Sequence, residues 1–142
     1  MIIGIGTDLV DIRRIERILG LFGERFIARV FTATERVKAE TRPHPAASYA
    51  QSYAAKEACA KALGTGFREG VFWRDMGVDN LASGKPVLTL SGGARKRLED
   101  LTPPGMKACV DLTQSDEAML AQAVVVISAN PESMTTIFEY KQ

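Results

Sequence analysis

The residues whose types and spacing suit chemistry are two acids and a lysine. Glu57 and Lys61 stand one helical turn apart in AAKEACAKALGTG, a stretch otherwise made almost wholly of small residues. Spacing alone favours an ion pair between them, because side chains four residues apart are neighbours on a helix. The alternative is that Glu57 and Asp8 hold a divalent cation such as Mg²⁺, which proteins bind with one or two carboxylates plus substrate phosphates. Lys61 is then placed to contact a phosphate.

A strand and a long helix must position these residues. The opening stretch MIIGIGTD alternates apolar residues with Gly4, Gly6 and Asp8, which predicts a strand with these three residues on one face. That face is bare enough for a ligand or another backbone to come close. Residues 46–63 predict an alanine-rich helix that ends at Gly64 and packs on several sides. A carboxylate on this helix is expected to be partly desolvated, and it then needs a partner because an unpaired buried charge is unfavourable.

Capping signals predict two more helices near the start of the chain. Asp11 is the expected N-cap of a helix over DIRRIERILGLF, and TATE at 32–35 has the spacing of a capping box that opens the next helix. The apolar residues that recur at helical spacing in the first of these helices are Ile12, Ile15, Leu19 and Phe22.

The second half of the chain reads as strands around one short helix. Residues 71–81 and 85–90 predict a hairpin, SGGARKRLEDL predicts the helix, and residues 107–114 and 119–129 predict two further strands. This order favours an α+β domain, with antiparallel strands packed against the long helix, over a doubly wound sheet. We expect one domain over residues 1–129 and a C-terminal tail, 130–142, which is loose or packs on a partner.

Composition limits the classes of function. The 142 residues are 46% hydrophobic and 25% charged with a net charge of +1, which argues against general nucleic-acid binding. No apolar run approaches the roughly 20 residues of a membrane span, and the start MIIGIGTDLV lacks the positive region of a signal peptide. Cys59 and Cys109 form no CxxC motif. We therefore expect a reduced, cytoplasmic protein with no membrane or nucleic-acid partner.

Four segments together resemble the holo-[acyl-carrier-protein] synthases, the small bacterial 4′-phosphopantetheinyl transferases. They are GIGTDLVDIRRI, YAAKEACAKALGTG, RDMGVDN…GKPVLTLSGGA and LAQAVVVIS, in that order, and they span roughly residues 1–129. The resemblance implies a Mg²⁺-dependent transfer of the 4′-phosphopantetheine arm of coenzyme A to a serine of apo acyl carrier protein. It further implies release of adenosine 3′,5′-bisphosphate, a role in fatty acid biosynthesis, and a homotrimer with active sites at the subunit boundaries.

The resemblance also assigns roles to particular residues. Asp8 and Glu57 are the implied Mg²⁺ ligands, and together with Lys61 they are the implied catalytic residues. Lys61 is expected to contact the phosphates of coenzyme A. The other implied contacts to coenzyme A lie in two loops, Gly64 and Gly66 in one and Lys85 and Pro86 in the other, although the second loop alone favours a plain hairpin turn.

A cluster of arginines is the implied docking surface for the carrier protein. Acyl carrier proteins are strongly acidic, and arginine suits such a partner because its planar guanidinium pairs with carboxylates. Without the resemblance, the same pattern is typical of a solvated helix face with its phenylalanine in the core. The implied docking residues are Arg14, Arg25, Phe26 and Arg29.

Two positions depart from the family pattern. Ser52 stands where many members have a basic residue, and Gln114 lies where many have a histidine. Both positions usually meet coenzyme A. Two alternatives follow: Lys56, Lys85 or a neighbouring subunit supplies the contacts to its 3′-phosphate, or the nucleotide preference is weaker or altered. The single histidine, His44, lies between two prolines in a predicted loop, and a catalytic or phosphate-binding role for it stays open.

Two other functions compete with the transferase. One is a non-catalytic module that binds an acidic protein through its arginine-rich helix. The other is a different Mg²⁺-dependent enzyme that acts on a nucleotide. GIGTD is not a dinucleotide-binding fingerprint, because the third glycine and the strand–helix context are absent.

Overall fold

The computed structural model of the chain describes residues 1–133, so most of the predicted tail, residues 134–142, lies outside the described residues. The described part folds into a three-stranded antiparallel sheet in the order β1-β5-β4, a separate two-stranded hairpin of β2 and β3, and five helices. The strands are β1 (Ile2–Asp11), β2 (Met76–Asn80), β3 (Pro86–Leu90), β4 (Met106–Glu117) and β5 (Leu120–Pro131). The helices are α1 (Ile12–Phe22), α2 (Glu24–Val30), α3 (Ala33–Glu40), α4 (Pro45–Leu63) and α5 (Gly92–Leu101).

The contact between β1 and α4 is made by backbone against backbone. A Cβ atom added to Gly6 would lie 1.9 Å from the carbonyl oxygen of Ala58, and one added to Gly4 would lie 2.3 Å from that of Ala62. The bare face that the sequence predicts is therefore filled by a second backbone and not by a ligand. Asp8 follows the two glycines on the same face of β1 and so points toward α4.

The long helix α4 is buried on most of its surface, as its alanine content predicts. It begins at Pro45 and is capped after Leu63 by Gly64, whose φ of 77° is the left-handed conformation that ends many helices. The small side chains of α4 let it pack closely on the sheet, where Ala121 and Ala123 of β5 are fully buried. A helix held on this many sides is a rigid support for the side chains it carries.

The predicted caps of the next helices are present. The Asp11 side chain accepts a hydrogen bond of 2.9 Å from the Arg13 backbone N–H. At the start of α3, Thr32 and Glu35 form both hydrogen bonds of a capping box, at 3.3 and 3.0 Å. The sequence did not reveal that Gly23, with φ of 48°, separates α1 from the seven-residue helix α2. Phe22 was also predicted on the apolar face of α1, and this is wrong because its side chain is 56% exposed.

The predicted strand over residues 71–81 is only partly correct. Residues Met76–Asn80 form β2, but Trp73–Asp75 form a 3₁₀ turn before it. The Asp75 carboxylate accepts a hydrogen bond from the Phe72 N–H at 3.0 Å, while the Asp75 N–H donates to the Phe72 carbonyl at 3.1 Å. These two local bonds hold the turn and compete with strand pairing. The predicted hairpin with β3 is confirmed from Met76 opposite Leu90 onward.

The hairpin of β4 and β5 is confirmed and is longer than predicted. β5 is the central strand of the sheet and continues to Pro131, two residues into the segment predicted as tail. Its inward residues, from Ala121 to Ala129 at every second position, are buried. On the opposite, outer face, Ile5 and Leu9 of β1 are 65% and 60% exposed. Val124 and Val126 of β5 lie half-buried beside them.

Within residues 1–133, no helix has both the length and the apolar character that crossing a membrane requires.

Candidate active site

Lys61 and Asp8 form the central ion pair of the site. The Nζ of Lys61 donates hydrogen bonds to Oδ1 of Asp8 at 2.9 Å and to the backbone carbonyl of Thr7 at 2.8 Å. The Asp8 side chain is 15% exposed and that of Lys61 is 51% exposed. The Glu57–Lys61 pair that helical spacing favoured is therefore wrong for the described residues, because Lys61 turns to the strand instead.

Glu57 lies close enough to this pair for the charges to influence each other. Burial raises the pKa of the Glu57 carboxyl above its ordinary value, and the negative charge of Asp8 raises this pKa further. A hydrogen bond with Tyr53 and the positive charges of Lys61 and Arg14 act in the opposite direction. Two carboxylates from distant parts of the chain are thus close enough to repel each other, and the repulsion raises the pKa of Glu57.

The donor set fits a hard divalent cation. Among residues 1–133, no three residues of the types His, Cys, Asp and Glu come together as a metal site. A pair of carboxylates is nevertheless the usual protein contribution to Mg²⁺, whose other ligands are waters and substrate phosphates. The mutual repulsion of Asp8 and Glu57 is the feature that a cation between them would relieve.

The loop after α4 offers open space beside the site. Gly64 and Gly66 both have positive φ, 77° and 59°, and a Cβ atom on Gly66 would meet nothing within 4 Å. Arg97 of α5 reaches this loop and donates a hydrogen bond of 3.0 Å to the carbonyl of Leu63. Arg97 is not predictable from the sequence, since nothing in its spacing within the charged segment ARKRLED indicates that it turns toward α4.

Lys85 and Pro86 lie away from the carboxylate pair. Lys85 is in the turn between β2 and β3, and its Nζ is 4.0 Å from Oδ1 of Asp111 on β4. Pro86 is the first residue of β3 and pairs with Asn80. In the described part of one chain, no ion pair or hydrogen bond connects these two residues to Asp8, Glu57 or Lys61.

One expected substitute for the missing basic residues is wrong. Lys56 is fully buried, with its Nζ 2.7 Å from Oε1 of Glu35 and donating to the carbonyl of Val30 at 2.6 Å. Such a lysine cannot contact a coenzyme at the surface. Ser52 is 5% exposed, and the Gln114 side-chain amide donates to the Gln51 carbonyl at 2.8 Å.

His44 is not brought to the site. It is the N-cap residue of α4 and forms no capping hydrogen bond through its side chain. Glu57 lies thirteen residues further along, which corresponds to about 20 Å of helix. His44 therefore does not act on the same atoms as Asp8 and Glu57.

The four implied docking residues lie on α1 and α2. The Arg14 guanidinium is 5.9 Å from the centre of the Tyr53 ring, a cation–π contact that brings it beside the helix of Glu57. Arg25 and Arg29 are exposed on α2. Phe26 is only partly buried, and its ring meets that of Phe31 edge-on at 5.5 Å, so it serves the core while one side stays accessible.

The chain is similar to proteins of known family. Residues 4–110 match the model of the 4′-phosphopantetheinyl transferase superfamily. A holo-[acyl-carrier-protein] synthase of Beijerinckia indica is 67% identical over 129 residues, which are 91% of this chain and 92% of that protein. The crystal structure of holo-[acyl-carrier-protein] synthase from Neisseria meningitidis has a TM-score of 0.79 and 39% identity, covering 90% of this chain and 99% of that chain.

A second similar crystal structure contains a bound ligand. Holo-[acyl-carrier-protein] synthase from Helicobacter pylori in complex with coenzyme A has a TM-score of 0.74 and 30% identity, covering 87% of this chain and 99% of that chain. The predicted α+β fold is confirmed by these likenesses. On the strength of sequence and fold together, this chain belongs to the 4′-phosphopantetheinyl transferase superfamily, within its family of holo-[acyl-carrier-protein] synthases.

Proposed function

We propose that this protein transfers the 4′-phosphopantetheine group of coenzyme A to a serine of apo acyl carrier protein and releases adenosine 3′,5′-bisphosphate. The activity would supply the holo carrier for fatty acid biosynthesis. Identity of 67% to a holo-[acyl-carrier-protein] synthase supports the reaction, and the coenzyme A complex of the Helicobacter pylori relative supports the donor. The observation that carries the proposal is the convergence of Asp8, Glu57 and Lys61 from β1 and α4.

Asp8 and Glu57 are the residues that would hold Mg²⁺. When bound, the ion supplies charge neutralisation and orientation to the pyrophosphate oxygens of the donor. The chain itself contributes a rigid base, because Asp8 is set by the backbone contact of β1 with α4 and Glu57 by the buried helix. Partial burial of both carboxylates favours their use by a cation over their solvation by water.

Lys61 would place a positive charge beside the donor phosphates. Its side chain is half-exposed and is held only at its tip, by Asp8 and the Thr7 carbonyl. An ammonium in this position can exchange one of these contacts for a phosphate oxygen without moving α4. Gly64 and Gly66 would let the backbone of the next loop approach the nucleotide, and Arg97 adds a positive charge behind that loop.

The apo carrier protein would dock on the arginines of α1 and α2. Arg14, Arg25 and Arg29 are exposed, and Phe26 offers an apolar surface between them. This set lies next to Tyr53, which is one turn before Glu57 on α4, so a docked carrier would present its serine near the carboxylate pair. Complementary charge would accelerate the encounter and fix the orientation of the carrier.

The outer face of the sheet supports assembly into a homotrimer. Ile5, Leu9, Val124 and Val126 form one apolar strip that a monomer would leave in water. Within the described residues of one chain, Lys85 and Pro86 do not contact Asp8, Glu57 or Lys61. Assembly through this strip would let these two residues of one subunit contribute to the active site of a neighbouring subunit. A cytoplasmic location suits the two free cysteines of the chain and the proposed use of coenzyme A.

A transfer assay tests the proposal directly. Purified protein is mixed with apo acyl carrier protein, coenzyme A and Mg²⁺, and the carrier is expected to gain the mass of the phosphopantetheine arm. Chelation of the metal should stop the gain, as should Asp8→Asn or Glu57→Gln in a protein with an unchanged circular dichroism spectrum. Glu117→Gln, at the exposed end of β4, is the matched control. Carrier binding without any mass gain would favour a non-catalytic binding module instead.

A further inference from the structure

An open cavity of about 350 Å³ lies beside α2 and has no role in the proposed reaction. It adjoins α2 on one side and the loop and 3₁₀ turn that precede β2 on the other. Its lining combines an aromatic wall with two cationic groups. The lining residues are Arg29, Phe67, Val71, Phe72, Trp73 and Arg74.

The aromatic wall of the cavity is rigid and is connected to the active-site helix. The rings of Phe67 and Trp73 are stacked with 3.6 Å between centroids, and Trp73 is stacked on Tyr53 of α4 at 4.9 Å. The ring of Tyr53 in turn packs against that of Phe26 of α2, with 6.2 Å between the ring centroids. Because these stacks already hold the aromatic side chains in place, little binding free energy would be lost in ordering them when a ligand binds.

The rim of the cavity is cationic and lacks anionic partners. Arg29 and Arg74 are both exposed, and neither forms an ion pair within residues 1–133. Phe72 is 67% exposed, so its ring is accessible to a partner at the mouth of the cavity. An apolar cavity between two unpaired arginines complements an apolar side chain that is flanked by carboxylates, as on an acidic amphipathic helix.

We propose that this cavity receives an apolar side chain of the acidic carrier protein. The docking surface would then extend beyond Arg14, Arg25, Phe26 and Arg29 to include Phe72 and Arg74. Arg29 belongs to both parts and so joins them, while the rings of Phe26, Tyr53 and Trp73 pack against one another beneath the surface. The inference rests on the proposed function, because it takes the carrier protein as the partner.

Substitutions at the rim test the inference. Phe72→Ala is expected to raise the KM for apo carrier about tenfold, as is typical for an exposed anchor in an interface. Arg74→Glu is expected to raise the same KM at least as much at low salt, and the effect should shrink as salt screens it. The KM for coenzyme A should stay within a factor of about two for both variants, because the cavity would contact only the carrier. Val37→Ala and Lys96→Glu are matched controls, with side chains 63% and 75% exposed, on α3 and α5.

A photo-crosslinking amino acid at position 72 gives a second readout that does not depend on kinetics. We expect it to attach to apo carrier protein, while the same group at position 37 does not. An unchanged KM for the carrier together with no crosslink would overturn the inference. A raised KM for coenzyme A alone would also overturn it, since the cavity would then belong to the nucleotide. Failure of the proposed function is distinct, because the unaltered protein would then transfer nothing.

Discussion

The ammonium of Lys61 is bound to the carboxylate of Asp8 at 2.9 Å, although the two residues are 53 positions apart in the chain. This pair ties the exposed edge of α4 to β1 at the point where Glu57 also approaches. In the proposed mechanism, Lys61 neutralises Asp8 before the substrate binds and a phosphate oxygen afterwards. The side chain of Lys61 would therefore have a structural role before the substrate binds and a catalytic role afterwards.

The first prediction concerns Lys61 itself. Lys61→Met should lower kcat/KM for transfer by about 10²-fold, the usual effect of removing one charge that stabilises a transition state. Stability should change little, since the side chain is half-exposed and its ion pair is partly solvated. Steady-state kinetics and thermal unfolding check the two parts separately. Lys96→Met on α5 is the control, and a fully active Lys61→Met protein would remove this residue from the mechanism.

The second prediction concerns the contact of β1 with α4. Gly6→Ala should destabilise the protein severely, because the added Cβ atom would meet the Ala58 carbonyl oxygen at 1.9 Å and neither backbone can move freely. Gly20→Ala is the matched control: its added Cβ atom meets nothing within 4 Å, and alanine in a helix is worth about 0.5–1 kcal/mol over glycine. Urea denaturation of both variants checks the contrast. Equal stability of the two would mean that the close approach of β1 and α4 is not present in solution.

Much of this site could be predicted from sequence because the signals were local. The alternation of Gly4 and Gly6 with apolar residues predicted a bare strand face, and Asp8 shares that face. The partner of Lys61 was not predictable in the same way, because helical spacing reports only on neighbours within one helix. Lys61 pairs with Asp8 instead of Glu57 because the close contact of Gly4 and Gly6 with α4 places Asp8 beside it, although Asp8 and Lys61 are 53 positions apart in the sequence.

Other parts of the structure depend on tertiary contacts that leave no periodic signal. Trp73 sits in a segment whose apolar character predicted a strand, yet it stacks on Tyr53 and Phe67 from a 3₁₀ turn. Lys56 reads as a surface charge in sequence, whereas its burial depends on Glu35, which is contributed by a different helix. In both cases the deciding partner comes from another element, which spacing along one element cannot reveal.

The third prediction concerns the buried pair of Lys56 and Glu35. Lys56→Met should cost about 3–5 kcal/mol of stability, because it leaves a carboxylate buried without its counter-charge. The Glu35 carboxylate still accepts hydrogen bonds from the N–H groups of Thr32 and Val78, at 3.0 and 2.7 Å, which retains part of its solvation. Adding Glu35→Gln to Lys56→Met should recover part of the loss, since no charge is then left buried. Chemical denaturation of the single and double variants measures this, and a double variant less stable than Lys56→Met would contradict it.

The fourth prediction concerns the buried thiol of Cys59. Burial raises the pKa of the Cys59 thiol to about 12, and its side chain is inaccessible in α4. Cys59 should therefore resist alkylation at pH 8 in the native protein and react in denaturant, because the thiolate is the reactive form. Mass spectrometry after a timed exposure to iodoacetamide locates the label. Rapid native labelling of Cys59 would show that α4 opens far more easily than its packing indicates.

The last prediction concerns the apolar strip on the outer face of the sheet. Ile5→Glu is expected to convert the proposed trimer into monomers, because a charge in the centre of the interface would be desolvated without a partner. The monomer should stay folded, since Ile5 is 65% exposed in a single chain and contributes little to its core.

Sedimentation velocity and the transfer assay decide the outcome together. If the active sites lie between subunits, the Ile5→Glu protein should lose transfer activity in parallel with its trimer, even though Asp8, Glu57 and Lys61 are unchanged. Val37→Glu, a charge placed at an equally exposed position on α3, should affect neither property. Full activity of a monomeric Ile5→Glu protein would place the whole site within one chain. In that case Lys85 and Pro86, which do not contact the carboxylate pair of their own chain, would have to be excluded from the site.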